Sequence, residues 1–141
     1  MENNRFVYTL KSDLAAVKPA VGKIMGFIET GIPGLSESQA FELKLVFSEL
    51  LFNSVIHGNR LDLKRNVDIA IELDCNVVSA SVSDEGEGYD YTQLILKNAS
   101  MENLMEENGR GLKLVTVLTD QIEFNPKGSQ IKFCKRVLCD G

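Results

Sequence analysis

The stretch of residues 36–57 is the most apolar part of this 141-residue chain, and it sets the strongest limit on the fold. Ser36 followed by Gln39 matches a capping box, and Gly58 is typical of a helix end, so the stretch is predicted to form one helix. Its apolar residues cover more than one stripe of that helix: Phe41, Leu45, Val46, Phe47, Leu50, Leu51, Phe52, Val55 and Ile56. Because such a helix must be buried on most sides, other elements have to surround it.

Period-2 alternation of apolar residues predicts the strands that accompany this helix. The clearest alternation runs over residues 5–11, 67–73 and 78–83, and two further strands are predicted over 121–125 and 130–138. Short turns join the second strand to the third and the fourth to the fifth, so each of these pairs is predicted to be a hairpin.

Two more helices complete the predicted fold. One follows the candidate caps Ser12 and Asp13, where Pro19 marks either the first turn or a kink, and the other begins at 108–111 and runs through Leu118. These elements predict an α+β fold, a two-layer α/β sandwich with helices on one face of a mixed, mostly antiparallel sheet. Since no linker or repeat divides the chain, residues 1–141 are expected to form a single domain.

Charge and composition argue against several classes of function. A net charge of -5 without any cluster of Lys or Arg disfavours binding to nucleic acid, whose phosphates would be repelled. The N-terminus lacks a signal-peptide pattern, and no apolar run approaches the ~20 residues of a membrane span, so a cytoplasmic protein without membrane contact is expected. Cys75, Cys134 and Cys139 form no disulfide or zinc-binding pattern and are expected to be reduced.

The first candidate motif is a polar pair on the apolar helix. Glu49 and Asn53 are four residues apart, so both side chains project from one face of the helix and can serve one ligand. By spacing alone, an exposed or hydrogen-bonded polar pair without a ligand is the better interpretation.

The second motif is the segment Asp84–Gly88, which delivers a carboxylate from the end of a strand into a glycine turn. Gly86 and Gly88 stand where the backbone needs positive φ or close approach by a ligand. A carboxylate acceptor suits an exocyclic amino group, such as that of adenine. An ordinary turn at a strand exit explains the fragment equally well.

The third motif, Asn108-Gly109-Arg110-Gly111-Leu112, opens a helix. Unpaired N–H groups and a partial positive charge of ~0.5 gather at a helix N-terminus, which makes a phosphate site. Arg110 adds a bidentate donor for a terminal phosphate. The alternative is a plain helix start with a solvated arginine.

The order of the three motifs is more informative than any one of them. The polar segment 89–108, a candidate lid, separates the glycine turn from the last helix. Neither a P-loop nor a dinucleotide-binding glycine pattern is present, so these two routes to phosphate binding are excluded.

At these residues the sequence resembles the histidine kinase-like ATPase superfamily, which has the Bergerat ATP-binding fold, and within it the anti-sigma factor serine/threonine kinases. The resemblance implies binding of ATP or ADP with Mg²⁺. It implies Glu49 as general base, Asn53 as metal ligand, Asp84 as adenine acceptor and Arg110 at the γ-phosphate. The nucleotide would be bound by Asn53, Asp84, Gly86, Gly88, Asn108, Gly109, Arg110, Gly111 and Leu112.

In that family the kinase phosphorylates an anti-anti-sigma protein of the STAS type and sequesters a sigma factor, usually as a homodimer. The resemblance implies the same activity and partners here. The alternative is a nucleotide-binding switch without catalysis that regulates a partner such as a phosphatase. His57, which precedes Gly58, is interpreted as a helix C-terminal cap before a site role is considered.

Overall fold

The computed structural model describes residues 4–87 and 107–137. Gly88, Cys139 and most of the candidate lid lie outside the described residues, while the last two lid residues, 107 and 108, begin a helix. The elements in chain order are strand β1 Arg5–Lys11, helix α1 Leu14–Gly31, helix α2 Glu37–Asn53, a π-helical turn Ser54–Gly58, strand β2 Asn66–Asp74, strand β3 Val77–Asp84, helix α3 Glu107–Leu118, strand β4 Gln121–Phe124 and strand β5 Gln130–Arg136.

The five strands form one sheet in the order β1-β2-β3-β5-β4. Every pairing within this sheet is antiparallel, including the two predicted hairpins β2–β3 and β4–β5. Strand β5 lies between β3 and β4, so the residues that precede β5 lie beside the end of β3. The predicted fold class is therefore confirmed, with antiparallel pairing throughout the described sheet.

The helices cover one face of the sheet, and the core lies between the two layers. Inward-facing residues alternate along each inner strand, for example Val67, Ile69 and Ile71 of β2, which are at most 1% exposed. Phe47 of α2 is fully buried and contacts the ring of Phe133 edge-on at a centroid distance of 5.3 Å. Strand β3 places serines 79, 81 and 83 on the opposite, open face.

Helix α1 begins earlier than the proline suggested. The side chain of Asp13 accepts a hydrogen bond from the Ala15 N–H at 3.0 Å, which makes Asp13 the N-cap and Leu14 the first helical residue. Pro19 therefore lies inside the 18-residue helix, and the interpretation that it marks the first turn is wrong. Within the described ranges, no helix is both long enough and apolar enough to cross a bilayer.

Helix α2 begins as predicted but changes geometry before it ends. Ser36 Oγ accepts a hydrogen bond from the Gln39 N–H at 3.2 Å, as the capping box requires. After Asn53 the chain forms a π-helical turn, in which the Asn59 N–H donates to the Ser54 carbonyl at 2.8 Å. A π-turn widens the helix by one residue and is frequent at functional sites. Here it directs Gly58 toward the end of β3.

Candidate functional site

The end of α2 and the end of β3 meet at two glycines. A Cβ atom on Gly58 would lie 2.2 Å from Oδ2 of Asp84, and one on Gly86 would lie 1.9 Å from the Gly58 carbonyl oxygen. Both distances are far below van der Waals contact, so only glycine allows the two segments to approach this closely. The Gly86 N–H also donates to Oδ1 of Asp84 at 2.9 Å. The contact fixes the Asp84 carboxylate between two stretches of backbone.

Burial changes the acidity of this carboxylate. Desolvation raises the pKa of Asp84 above its ordinary value of 3.8. The hydrogen bond from the Gly86 N–H and the positive charges of Lys127 and Arg65 act in the opposite direction and offset only part of that effect. The ionised form is therefore under-solvated, and a ligand that donates a hydrogen bond to it would relieve the deficit.

A buried asparagine holds this junction in place. Asn59 is completely buried and donates from Nδ2 to Oγ of Ser12 at 2.7 Å and to the carbonyl of Asn66 at 2.9 Å. Its Oδ1 accepts a hydrogen bond from the Glu85 N–H at 2.8 Å. Because the chain segments joined in this way lie far apart in sequence, Asn59 fixes the turn that carries Asp84 relative to the ends of β1 and α2.

Sequence reasoning missed Asn59 and gave Ser12 another role. Ser12 was a candidate helix cap, but the structure assigns that role to Asp13, and Ser12 Oγ instead donates to the Arg65 carbonyl at 2.9 Å. The sequence pattern predicted no role for Asn59. Its position directly after a helix-ending glycine was the available signal, since amide side chains satisfy backbone groups at such ends.

The turn between β4 and β5 borders the same carboxylate. The Asp84 N–H donates to the Ser129 carbonyl at 2.9 Å, and Gln130 Nε2 donates to Oγ of Ser83 at 2.9 Å. Asn125 Oδ1 accepts hydrogen bonds from the N–H groups of residues 128, 129 and 130 and so closes the turn. Gly128 has φ of 82°, a left-handed conformation that favours glycine.

Asn53 is the last residue of α2, directly before the π-helical turn, and Glu49 lies one turn earlier. Asn53 is 5% exposed, and among the described residues its Nδ2 atom is buried without a hydrogen-bond partner. Such an atom is costly unless a ligand or water satisfies it. Rotation of the amide by 180° places its oxygen at the same position, so this residue fits a magnesium ligand. Glu49 is half-buried and projects from the same side of the helix.

Helix α3 packs against α2 and carries the third predicted motif at its start. Of the predicted phosphate-binding residues, 108–110 fall in the first turn of α3, which begins at Glu107, and residue 111 begins the second turn. The N–H groups of a first turn have no partner within the helix, as an anion site requires. The side chain of Leu112 is fully buried in the core, so its backbone alone is left to face a nucleotide. The structure describes no side chain for residues 107–111.

The arrangement combines three chemical capabilities at one end of the sandwich. Asp84 supplies an acceptor for an amino group, and Asn53 supplies an unsatisfied amide. The start of α3, which packs against α2, has backbone N–H groups of the kind that suit phosphate. Within residues 4–87 and 107–137, no group of three or more His, Cys, Asp or Glu side chains forms a metal site. A cation here would therefore depend on ligand oxygens in addition to Asn53, as Mg²⁺ does in nucleotide sites.

A separate concavity of about 910 Å³ lies on the open face of the sheet. Its floor is formed by small side chains such as Ala70, Ser79 and Ser81, and Lys132 and Glu123 lie at its rim. It faces away from the helices and from the junction at Asp84. The chemistry described above therefore belongs to the end of the sandwich and not to this concavity.

Comparisons with known proteins agree with this geometry. A family model described as a histidine kinase-like ATPase domain matches residues 10–135. The chain is also 30% identical over 117 residues to an anti-sigma F factor of Lysinibacillus sphaericus, a match that covers 80% of this chain and 79% of that protein. The span of the family model includes the Glu49–Asn53 pair, the end of β3 and the start of α3.

Proposed function

This chain belongs to the histidine kinase-like ATPase domain family, and from that premise we propose that it is an anti-sigma regulator that binds ATP and phosphorylates a partner protein. The observation that carries the proposal is the Asp84 carboxylate, fixed between Gly58 and Gly86 and under-solvated in its ionised form. An adenine amino group is a suitable donor for it. The related anti-sigma F factor supports the regulatory part of the proposal.

The proposed phosphate end of the site consists of the first turn of α3 and α2. The backbone of residues 109–111 faces the phosphates in this proposal, with the N–H groups of the first turn of α3 as donors, and Arg110 lies against the γ-phosphate. Asn53 is the proposed ligand of Mg²⁺, and its unsatisfied amide supports that assignment. When bound, the ion neutralises charge on the phosphates and aligns them.

Glu49 is the proposed general base. It accepts the proton of a serine or threonine hydroxyl on a STAS-type anti-anti-sigma protein while the hydroxyl oxygen bonds to the γ-phosphorus and the bond to ADP breaks. A positioned base contributes roughly 10²–10⁴-fold to the rate. Glu49→Ala should therefore lower phosphorylation of that acceptor by about this factor while nucleotide binding persists. Transfer of ³²P from labelled ATP to the purified acceptor measures the first quantity.

Nucleotide binding is tested by thermal unfolding with Mg-ATP and with Mg-ADP. At ~100 times the dissociation constant a ligand adds ~2.7 kcal/mol, so the midpoint should rise by roughly 5–10 °C. The same nucleotides should raise the midpoint of Asp84→Asn by much less, because a neutral amide has one acceptor oxygen in place of two and is a weaker acceptor than a carboxylate. An unchanged midpoint of the wild type at millimolar nucleotide would contradict the proposal.

The kinase part and the binding part fail in different ways. If the wild type binds nucleotide but Glu49→Ala acts on its partner as the wild type does, the protein is a nucleotide-dependent switch, for instance one that regulates a phosphatase. We also propose a cytoplasmic homodimer that sequesters a sigma factor. Light scattering measures whether the protein is a homodimer, and co-purification with the sigma factor in the presence of ATP measures sequestration.

A further inference from the structure

A lysine stands in the row of apolar residues that β5 directs into the core. Ile131, Phe133 and Val137 of that row are buried, and Lys135, which lies between them in the alternation, is 7% exposed. Lysine is rarely buried to this extent unless it is paired. The sequence pattern therefore marks Lys135 as a residue whose partners need to be identified.

Lys135 joins both helices that contribute to the nucleotide site. Its Nζ donates to the carbonyl oxygen of Leu118, the last residue of α3, at 2.6 Å. The same atom lies 2.9 Å from Oε1 of Glu42, in the second turn of α2. A cation at the C-terminus of a helix also interacts favourably with the helix dipole. One ammonium group thus fixes the end of α3 against both α2 and the sheet.

This attachment determines where α3 begins. Helix α3 packs against α2 and ends beside Glu42, so its first turn lies toward the end of α2 that carries Glu49 and Asn53. The 12 residues of α3 span about 18 Å, and seven residues separate Glu42 from Glu49, or about 10 Å along α2. Because a helix is stiff along its axis, a displacement at its C-terminus moves its N-terminus by a similar distance.

We propose that Lys135 is a positioning residue for the phosphate end of the nucleotide site, an inference that rests on the nucleotide binding proposed above. Lys135 contacts neither nucleotide nor acceptor. It acts through α3, whose first turn it holds in register with Glu49 and Asn53. The adenine end is fixed separately, by the contacts of Asp84 with Gly58 and Gly86 and by Asn59. Loss of Lys135 should therefore weaken binding of the phosphates and leave binding of the nucleoside intact.

The test compares ATP with adenosine in two lysine variants. Lys135→Met keeps most of the length of the side chain and removes the ammonium group. Lys132→Met is the matched control, because Lys132 is an exposed lysine of the same strand on the opposite face of the sheet. Isothermal titration at a temperature well below each unfolding midpoint gives the dissociation constants for Mg-ATP and for adenosine.

In Lys135→Met we expect the dissociation constant for Mg-ATP to rise roughly tenfold, with that for adenosine within about twofold of wild type. Both constants should stay at wild-type values in Lys132→Met. A merely structural role predicts a lower unfolding midpoint with an unchanged ratio of the two affinities. That unchanged ratio would overturn the inference while nucleotide binding by the wild type stands.

A second variant covers the case in which Lys135→Met does not fold. Glu42→Gln retains Lys135 and its hydrogen bond to Leu118 and removes only the counter-charge on α2. It should change the ratio of ATP to adenosine affinity in the same direction and by less, and an unchanged ratio would overturn the inference by itself. A wild type that binds neither ligand would overturn the proposed function and this inference together.

Discussion

The two ends of helix α2 differ in whether their buried polar groups have partners. Near its N-terminal end, Glu42 pairs with a buried ammonium that is also bonded to a carbonyl, so the charges there are matched. At its C-terminal end, Asn53 has a buried amide nitrogen without a partner among the described residues, and the pKa of Asp84 is raised by burial. The N-terminal end therefore has a structural ion pair, and the C-terminal end has polar groups that a ligand would satisfy.

The difference has a thermodynamic consequence. Removing one member of a matched buried pair leaves the other uncompensated and destabilises the fold. Removing a polar group that already lacks a partner relieves a cost, and the free protein loses little. Stability and binding should therefore respond differently to substitutions at the two ends of α2.

The largest expected effect is that of Gly86→Ala, in the turn that packs against Gly58 after α2, and it arises from steric contact and not from the loss of a polar group. The new Cβ would lie 1.9 Å from a backbone oxygen, so the turn or the end of α2 must move. We expect a loss of about 3 kcal/mol in the free energy of unfolding, measured by urea denaturation. Gly22→Ala is the control, since nothing lies within 4 Å of its Cβ, and it should gain up to about 1 kcal/mol as a helical alanine. Equal stability of the two variants would refute the close contact.

Next comes Glu42→Gln at the N-terminal end. It leaves the 8%-exposed side chain of Lys135 without its counter-charge. We expect a loss of about 1.5 kcal/mol, less than for a fully buried pair because Glu42 is 32% exposed. Glu72→Gln, which breaks the exposed pair with Arg5, is the matched control and should cost under about 0.5 kcal/mol. If both variants lose the same free energy of unfolding, the buried pair does not stabilise the fold more than the exposed pair does.

Asp84→Asn should act on binding and spare stability. A carboxyl whose pKa is raised on folding holds its proton more strongly in the folded state, so its ionisation destabilises the fold as pH rises from 3.8 through the raised pKa. At pH 7 the variant should therefore be at least as stable as the wild type, with the difference vanishing below about pH 4. Denaturation midpoints recorded from pH 3.5 to 8 measure this. A variant that is less stable than the wild type at pH 7 would show that the ionised Asp84 carboxylate has stabilising partners in the folded protein.

The smallest expected effect on stability is that of Asn53→Leu. The substitution keeps the branching at Cγ and removes an unsatisfied buried donor, so the free energy of unfolding should stay within about 1 kcal/mol of wild type. The dependence of ATP affinity on Mg²⁺ should disappear. Titration of ATP with and without Mg²⁺ measures this directly. A variant that retains the full response to the metal would exclude Asn53 as a metal ligand.

Much of the fold was predictable because it depends on local periodicity. Alternation in residues 67–73 and 78–83 predicted β2 and β3 to within one residue at each end. Ser36 and Gln39 located the start of α2. The π-helical turn after Asn53 was not predictable, because its geometry depends on the contact of Gly58 with Asp84 across 26 residues.

The candidate site was predictable as a set of residue types and not as a set of contacts. The sequence indicated Glu49, Asn53 and Asp84 by their spacing and position. Asn59 escaped notice because its partners lie on segments that only the fold brings together. Lys135 is visible in the sequence as a charged residue in an apolar row, but that pattern does not predict its partners, Glu42 and Leu118.

The sequence by itself determined which residues face the core and where helices and strands alternate, because hydrophobic periodicity is carried by neighbours along the chain. It also determined the order of the three motifs. The tertiary structure alone decided that the carboxylate of Asp84 lies against Gly58 and Gly86, that Asn59 joins distant segments, and that one lysine fastens α3. The physical reason is that a polar group's partner is set by whichever distant segment packs against it, and no local pattern encodes that choice.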